Sequence, residues 1–596
     1  MSAGRTVSVW REIVARSWRL DRRITALIGF LLVAQVGAFA ATGLAIRAIV
    51  DQVADGALEG VFLAALVGGL GFGLATIGAY VQFELRSDLA DRIGYLQIDP
   101  EIQNIAARID GLGHLERADY VDRLNMLRGK GYEIAAAGWA VPETVALVVQ
   151  LGVTLILLGS VHPLLLLLLV LTVPAVLLNR RAYHGVSEAA LASAEDARVE
   201  QHMHEIATRA SAGKEIRVNG TAGTLMKTAD DAWRRVSRLQ TAARARAAGL
   251  AVLSSALFVV GYAGGLAFVV YLVADGRRSI GDLILVIILA GQLRGDFQWV
   301  QYNLTHMRRG MALATPYRWL VAHAQAQAPK PGRPAPQRLE RGIRLENVSF
   351  HYAGNPDTVL GPLTVDLPAG GVVAIVGEHG SGKTTLVKLL SKFYRPQQGR
   401  ITVDGVDLDD IDTEQWRAAT SAAFQDFVRY EIKAGHAIGI GDLPALDDED
   451  RLRQAVREAD AVQIIDRLPD GLDTQLGRRF DGVDLSEGQW QRVALARGAM
   501  RQNPVLVLLD EPTASLDAVS EHAIFERHAA LARRLGAEHG TITLMVSHRF
   551  STIWMADLIL VVSAGRVIER GTHDELIAAG GTYAELYDIQ RRAYAG

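Results

Sequence analysis

Residues 377–384 read Gly-Glu-His-Gly-Ser-Gly-Lys-Thr. The run Val372–Val376 just before them has the length and β-branched content of a buried strand. A strand, a glycine-rich turn and then a helix opening near Thr384 make a phosphate-gripping loop. The glycines let backbone N–H groups of Gly377, Glu378, His379, Gly380, Ser381 and Gly382 point at phosphate oxygens, and the helix N-terminus adds a favourable dipole. Lys383 then reaches the outer phosphates, the Thr384 hydroxyl ligates Mg²⁺, and Thr385 completes the first helical turn.

About 125 residues further on, Val505-Leu506-Val507-Leu508-Leu509-Asp510-Glu511 reads as a second buried strand carrying two carboxylates at its C-terminal end. Asp510 is expected in the Mg²⁺ shell, and Glu511 beside the water that attacks the terminal phosphate. Thus the C-terminal part of the chain is read as an α/β P-loop ATPase domain.

The remainder of the chain has a different chemistry. The 596 residues are half hydrophobic yet 21% charged, which fits a membrane domain joined to a soluble one better than either alone. Six apolar runs near 24–46, 57–82, 140–161, 163–180, 246–274 and 280–305 are long enough to cross about 30 Å of hydrocarbon. Short tips at Asp51–Leu58, His162-Pro163 and Asp275–Ser279 join some of them. The two other connections are roughly sixty-residue charged, helical stretches. Arg5, Arg11, Arg16, Arg19, Arg22 and Arg23 precede the first run, so the N-terminus and both long connections are expected in the cytoplasm. The first run is too long for a signal peptide, and no cleaved leader is expected. Residues 8–22 read as an amphipathic elbow helix lying in the membrane interface or packed on protein. The fold class is therefore a membrane α-helical domain, with six transmembrane helices and long cytoplasmic extensions, plus the α/β ATPase domain. Residues 326–338 hold Pro329, Pro331, Pro334 and Pro336, a linker composition. This divides the chain into a transmembrane domain at 1–325, a linker at 326–338 and a nucleotide-binding domain at 339–596.

A net charge of −3 gives no basis for a nucleic-acid partner. The absence of cysteine excludes disulfides, thiolate metal sites and a cysteine nucleophile. The arginine-rich basic set suits a GC-rich bacterial genome, and the expected location is a bacterial inner membrane.

The motifs together resemble a half-size ATP-binding-cassette (ABC) transporter of the exporter fold, over nearly the whole chain. The resemblance implies ATP and Mg²⁺ as cofactors and assigns further positions. Tyr352 matches the aromatic that stacks on adenine. Gln425, in Phe424-Gln425-Asp426, matches the glutamine that senses Mg²⁺ and water. Leu485-Ser486-Glu487-Gly488-Gln489 matches the signature, whose Ser486, Gly488 and Gln489 meet the ATP of a second subunit. Asp517, in Ala514-Ser515-Leu516-Asp517, lies in the loop that crosses the dimer interface, and His548 matches the switch histidine. Because the chain carries one set of motifs, two copies with two sandwiched ATP molecules are implied. Gly213–Gly220 is similar to a coupling helix that docks on the partner.

Glu487 departs from the family signature, which has glycine there. Its carboxylate is expected to repel a nearby γ-phosphate and so to slow hydrolysis. Within the family, Phe424–Glu431 and Trp490-Gln491-Arg492 are similar to exporters of lanthipeptide-type peptides. The resemblance thus implies an exporter of a peptide or amphipathic small molecule, with membrane lipid as its surroundings. A lipid flippase, an importer of a metal-chelator complex and a regulatory ATPase are the alternatives. Gln292, Asp296, Trp299 and Asn303 share one face of the sixth run, where they either face a cavity that binds cargo or lie below the bilayer.

Overall fold

The computed structural model describes residues 3–57, 59–209, 212–328, 331–354, 357–512, 518–547 and 553–595. The chain divides into two compact units. One comprises Met1–Ile105 with Asn125–Val321, the other Ala106–Leu124 with Ala322–Gly596.

The first unit is helical. It contains α1 (Ala3–Leu20), α2 (Arg22–Ala54), α3 (Val61–Ile93), α4 (Asp99–Arg108), α5 (Ala118–Leu127), α6 (Gly131–Val161), α7 (Leu167–Ala192), α8 (Ala194–Thr208), α9 (Gly213–Val218), α10 (Ala222–Ala274) and α11 (Ile280–Ala326), with parts of α4, α5 and α11 crossing into the second. Asp21 separates α1 from α2 by capping the second helix, its carboxylate accepting from the N–H groups of Arg23 and Ile24. The elbow helix packs on protein. Ile13 is buried against Gly138 of α6, where any Cβ would collide with it. Arg16 pairs with Glu101 at 2.7 Å, and the Tyr317 hydroxyl donates to the same carboxylate. These contacts tie α1 to α4 and α11.

Four helical segments among the described residues are long and apolar enough to cross a membrane: Arg22–Ala54, Val61–Arg108, Gly131–Val161 and Ala222–Ala274. The expected count of six is therefore matched only in part. The fourth expected run opens with a 3-10 turn at Pro163–Leu166 before α7 begins, and the sixth carries Gln292, Arg294 and Asp296 within α11. The helices pair as α2 on α3 and α7 on α10. At one end of the bundle α2 meets α11 through Gly281, whose N–H donates to Asp51 at 2.9 Å, while Arg47 pairs with Asp282 at 3.0 Å. A Cβ at Gly281 would lie 2.4 Å from the Asp51 carboxylate, so the close approach needs glycine.

The second unit contains two sheets. β1 (Gly342–Phe350), β2 (Leu360–Pro368), β4 (Gln398–Val403) and β5 (Val406–Asp407) form an antiparallel sheet in the order β2-β1-β4-β5. The larger sheet comprises β3 (Val372–Val376), β6 (Thr420–Ala423), β7 (Leu506–Asp510), β8 (Ile542–Val546), β9 (Leu558–Ser563) and β10 (Arg566–Gly571), ordered β10-β9-β3-β8-β7-β6. Every pairing within it is parallel except the β9–β10 edge. β3 and β8 are buried at every position, as their unbroken apolar runs require of central strands covered on both faces. Helices α12 (Lys383–Leu390), α13 (Thr413–Ala418), α14 (Ala434–Gly439), α15 (Glu449–Glu458), α16 (Val462–Asp466), α17 (Glu487–Ala499) and α18 (Ala518–His539) connect the strands.

Residues 106–124, read from sequence as part of the membrane domain, cluster with this unit instead. Long-range polar pairs hold them there. Asp110 accepts from Arg417 at 2.7 Å, Glu116 accepts from the Tyr394 hydroxyl, and the Leu112 N–H donates to the Phe393 carbonyl at 3.3 Å. Part of the proline-rich segment also lies on this unit. The Arg333 N–H donates to Asp410 O at 2.7 Å, and Arg333 O accepts from Asp412 N at 2.8 Å.

Candidate active site

The phosphate loop leaves the C-terminal end of β3, a central strand between β9 and β8, and α12 starts at Lys383. Gly382 caps this helix in the left-handed region at φ 101°, where a Cβ would meet Leu360 and the Val359 carbonyl below 3 Å. Glu378, His379 and Gly380 form the exposed crown, Gly377 is half-buried at its base, and Ser381, Gly382 and Lys383 are buried. The Lys383 ammonium donates to the carbonyls of Gly377 at 3.0 Å and Glu378 at 2.7 Å, spanning the loop it is expected to serve. Burial lowers its pKa, and the charges of Glu511 and Asp510 oppose that shift. Ser381 Oγ is buried and has no hydrogen-bond partner among the described residues, which suits a donor to phosphate oxygen.

Asp510 ends β7 beside this loop, with Thr384 near enough to favour its charged form. Burial pushes the Asp510 carboxyl up to about 6, helped by the charges of Glu511 and Asp426 and opposed by Thr384 and Lys383. Its Oδ1 is buried without a hydrogen-bond partner among the described residues. A buried, unanswered carboxylate oxygen next to a hydroxyl fits an oxygen-ligated divalent cation. Thr384 and Asp510 are therefore the residues that would hold Mg²⁺. When bound, the ion would neutralise phosphate charge.

Glu511 follows in the left-handed region at φ 51°, unusual for a side chain of this size. Such a conformation costs about 1–3 kcal/mol and persists only where surrounding bonds fix it. Here the Glu511 N–H donates to Val546 O at 3.0 Å, and its own carbonyl accepts from Gln491 Nε2 at 3.2 Å. The carboxylate accepts from Gln425 Nε2 at 2.9 Å. Gln425 and Glu511 are thus brought together, with Asp510 adjacent in the chain.

Tyr352 stands over the first turns of α12. Its hydroxyl lies 3.0 Å from Thr385 Oγ1, and Lys388 Nζ sits 5.4 Å from its ring centroid. An aromatic so placed beside the phosphate loop has the position needed to stack on a base. Asp517 and His548 lie outside the described residues.

Ser486 caps α17 in a capping box. Gln489 N donates to Ser486 Oγ at 3.4 Å, and Ser486 N donates to Gln489 Oε1 at 2.8 Å. Gly488 lies in the first turn and is half-buried. Among the described residues, no hydrogen bond or ion pair joins Ser486, Gly488 or Gln489 to Lys383 or Thr384. Glu487 corrects the sequence expectation. Its carboxylate is paired with the Arg429 guanidinium, so the charge expected to repel phosphate carries its own counter-ion.

Arg429 stands in the Phe424–Glu431 run noted above, but its pairing with Glu487, 58 positions away, has no local sequence signal. The pair is about half exposed, and such pairs contribute about 0.2–1 kcal/mol. Arg429→Ala is expected to lower the ATPase rate by up to about fivefold by uncovering the carboxylate. Glu487→Gly alone will stay within about twofold of wild type, and the double variant will recover most of the loss. Steady-state phosphate release across this mutant cycle is the measurement. Additive losses would refute compensation.

A glycine loop, a strand-end acid pair and a connected glutamine on one parallel sheet define a P-loop ATPase. Residues 360–514 match the ABC transporter family model. An ATP-dependent lipid A-core flippase of Aromatoleum aromaticum is 36% identical over 345 residues, covering 57% of this chain and 55% of the flippase. Its namesake in Pseudomonas aeruginosa is 36% identical over 312 residues, covering 52% of this chain and 50% of that protein. The chain thus spans about half the length of the curated relatives it matches. The solved structure of a bacterial Atm1-family ABC exporter with ATP bound matches 96% of this chain and 98% of its own, at 26% identity and a TM-score of 0.74. The ATPase unit is an ABC transporter domain, and the chain has the ABC exporter fold.

Proposed function

We propose that two copies of this chain form an ATP-driven exporter in a bacterial inner membrane. ATP and Mg²⁺ bind at Lys383, Thr384, Asp510 and Gln425, and Glu511 serves as the base for hydrolysis. The observation that carries this reading is the 2.9 Å bond from Gln425 to Glu511, next to Asp510 and the phosphate loop, in a chain whose described residues include four span-length apolar helical segments. Tyr352 takes the adenine, Ser486, Gly488 and Gln489 complete the partner's site, Asp517 belongs to the loop between the copies, and His548 acts as the switch residue that contacts the γ-phosphate. The N-terminus and the ATPase unit face the cytoplasm, α7 and α11 supply the remaining two spans, and Gly213–Gly220 couples to the partner.

The cargo is an amphipathic molecule, read as a peptide or small molecule from the similarity of the Phe424–Glu431 segment to peptide exporters. The names of the relatives above favour lipid flipping as a second reading. Proteoliposomes holding the purified chain, oriented with the ATPase outward, should accumulate a labelled amphipathic cargo only with Mg²⁺ and ATP. Equal accumulation with a non-hydrolysable analogue would refute hydrolysis-driven transport, whereas ATP-dependent movement of labelled lipid alone would select the flippase.

A further inference from the structure

We propose that Asp296 receives a cationic centre of the cargo, so that the transported molecule is an amphipathic cation. The proposal rests on the transport reading above and names its substrate class.

Asp296 lies on α11 and is 2% exposed. Its Oδ1 accepts from Gln150 Nε2 of α6 at 3.1 Å and from Gln292 Nε2 one turn away at 3.4 Å. Oδ2 is buried with no hydrogen-bond partner among the described residues. Leaving such an oxygen unanswered in apolar surroundings is costly, and ionisable groups at membrane depth mark substrate or ion paths.

Two arginines of this region have side-chain partners. Arg294 donates to Ser255 Oγ at 2.7 Å, and Arg86 pairs with Glu143 at 2.9 Å. The buried, unanswered oxygen here belongs to a carboxylate, which suits an ammonium, guanidinium or phosphonium. About one and two turns further along α11, Trp299 and Tyr302 are 51% and 45% exposed, their rings 5.4 Å apart. Indole and phenol faces attract cations and also cover apolar substituents. Gln292 is exposed, and rotation of its amide away from Oδ1 opens a path to the carboxyl.

The test uses two ions of nearly identical shape and opposite charge, tetraphenylphosphonium and tetraphenylborate. Each is titrated into the full chain in lipid nanodiscs, following tryptophan fluorescence and subtracting the partition into empty discs. Wild type should bind the phosphonium, Asp296→Asn at least about tenfold more weakly, and Asp296→Glu within a few-fold of wild type. The borate should bind wild type no better than it binds Asp296→Asn. Equal phosphonium binding by wild type and Asp296→Asn would overturn the proposal, as would preference of wild type for the borate. If Asp296→Asn fails to fold, the wild-type preference between the two ions decides. ATP hydrolysis is measured in the same discs. Cation-selective binding without hydrolysis would sink the motor reading and leave Asp296 as a cation site only, and hydrolysis without selectivity would uphold the motor and overturn this proposal.

Discussion

Glu511→Gln will stop ATP turnover while leaving nucleotide binding within a few-fold of wild type. The amide preserves the shape and the contact with Gln425, which is 2.9 Å from the native carboxylate, but it cannot take a proton from water. Loss of a general base costs about 10²–10⁴-fold in rate. With binding intact and hydrolysis blocked, the variant should retain radiolabelled ATP through gel filtration. Wild-type phosphate release by Glu511→Gln would remove Glu511 from the mechanism.

Lys383→Ala will weaken nucleotide binding by at least tenfold. Lys383 is 6% exposed and its ammonium is held by two loop carbonyls, which fixes it in the cradle. A hydrogen bond to a charged group contributes about 1.5–3 kcal/mol, equivalent to roughly 10–150-fold in affinity. Titration with a fluorescent ATP analogue measures this directly. A lysine that only braced the loop would show a lowered melting temperature with unchanged affinity, and that result would exclude the phosphate contact.

The parts of this molecule that were legible in its sequence are those encoded locally. The phosphate loop is eight consecutive residues, and its strand and helix lie on either side. The acids at 510 and 511 follow an unbroken apolar strand, and Ser486 and Gln489 form their capping box within four residues. Contacts between distant residues were not legible. Arg429 and Glu487 are 58 positions apart, and Gln150 and Asp296 are 146 apart. Nothing in either neighbourhood announces its partner. The left-handed backbone at Glu511 was hidden for another reason: turn chemistry points to glycine or asparagine at such positions, and here tertiary bonds override it. The span count was read from hydropathy alone. That signal is strong in the four segments matched and equally in the run from Pro163, where a 3-10 turn delays the helix to Leu167, and it is weaker in the sixth, where Gln292, Arg294 and Asp296 interrupt the run.

The placement of residues 106–124 bears on how this gene can be divided. The chain passes between its two units at Ile105/Ala106, Leu124/Asn125 and Val321/Ala322. A fragment begun at residue 339 would therefore be an incomplete ATPase. Arg417 would lose the Asp110 carboxylate, Tyr394 would lose Glu116, and the Phe393 carbonyl would lose the Leu112 N–H. Conversely, a protease nick within 326–338 would cut the backbone without freeing the motor, because the 106–124 piece remains non-covalently bound to it. The two cleavage products then behave as complementing halves of a split protein. Their separation under salt, which weakens the two side-chain pairs more than the backbone bond, would report how firmly this inserted segment grips.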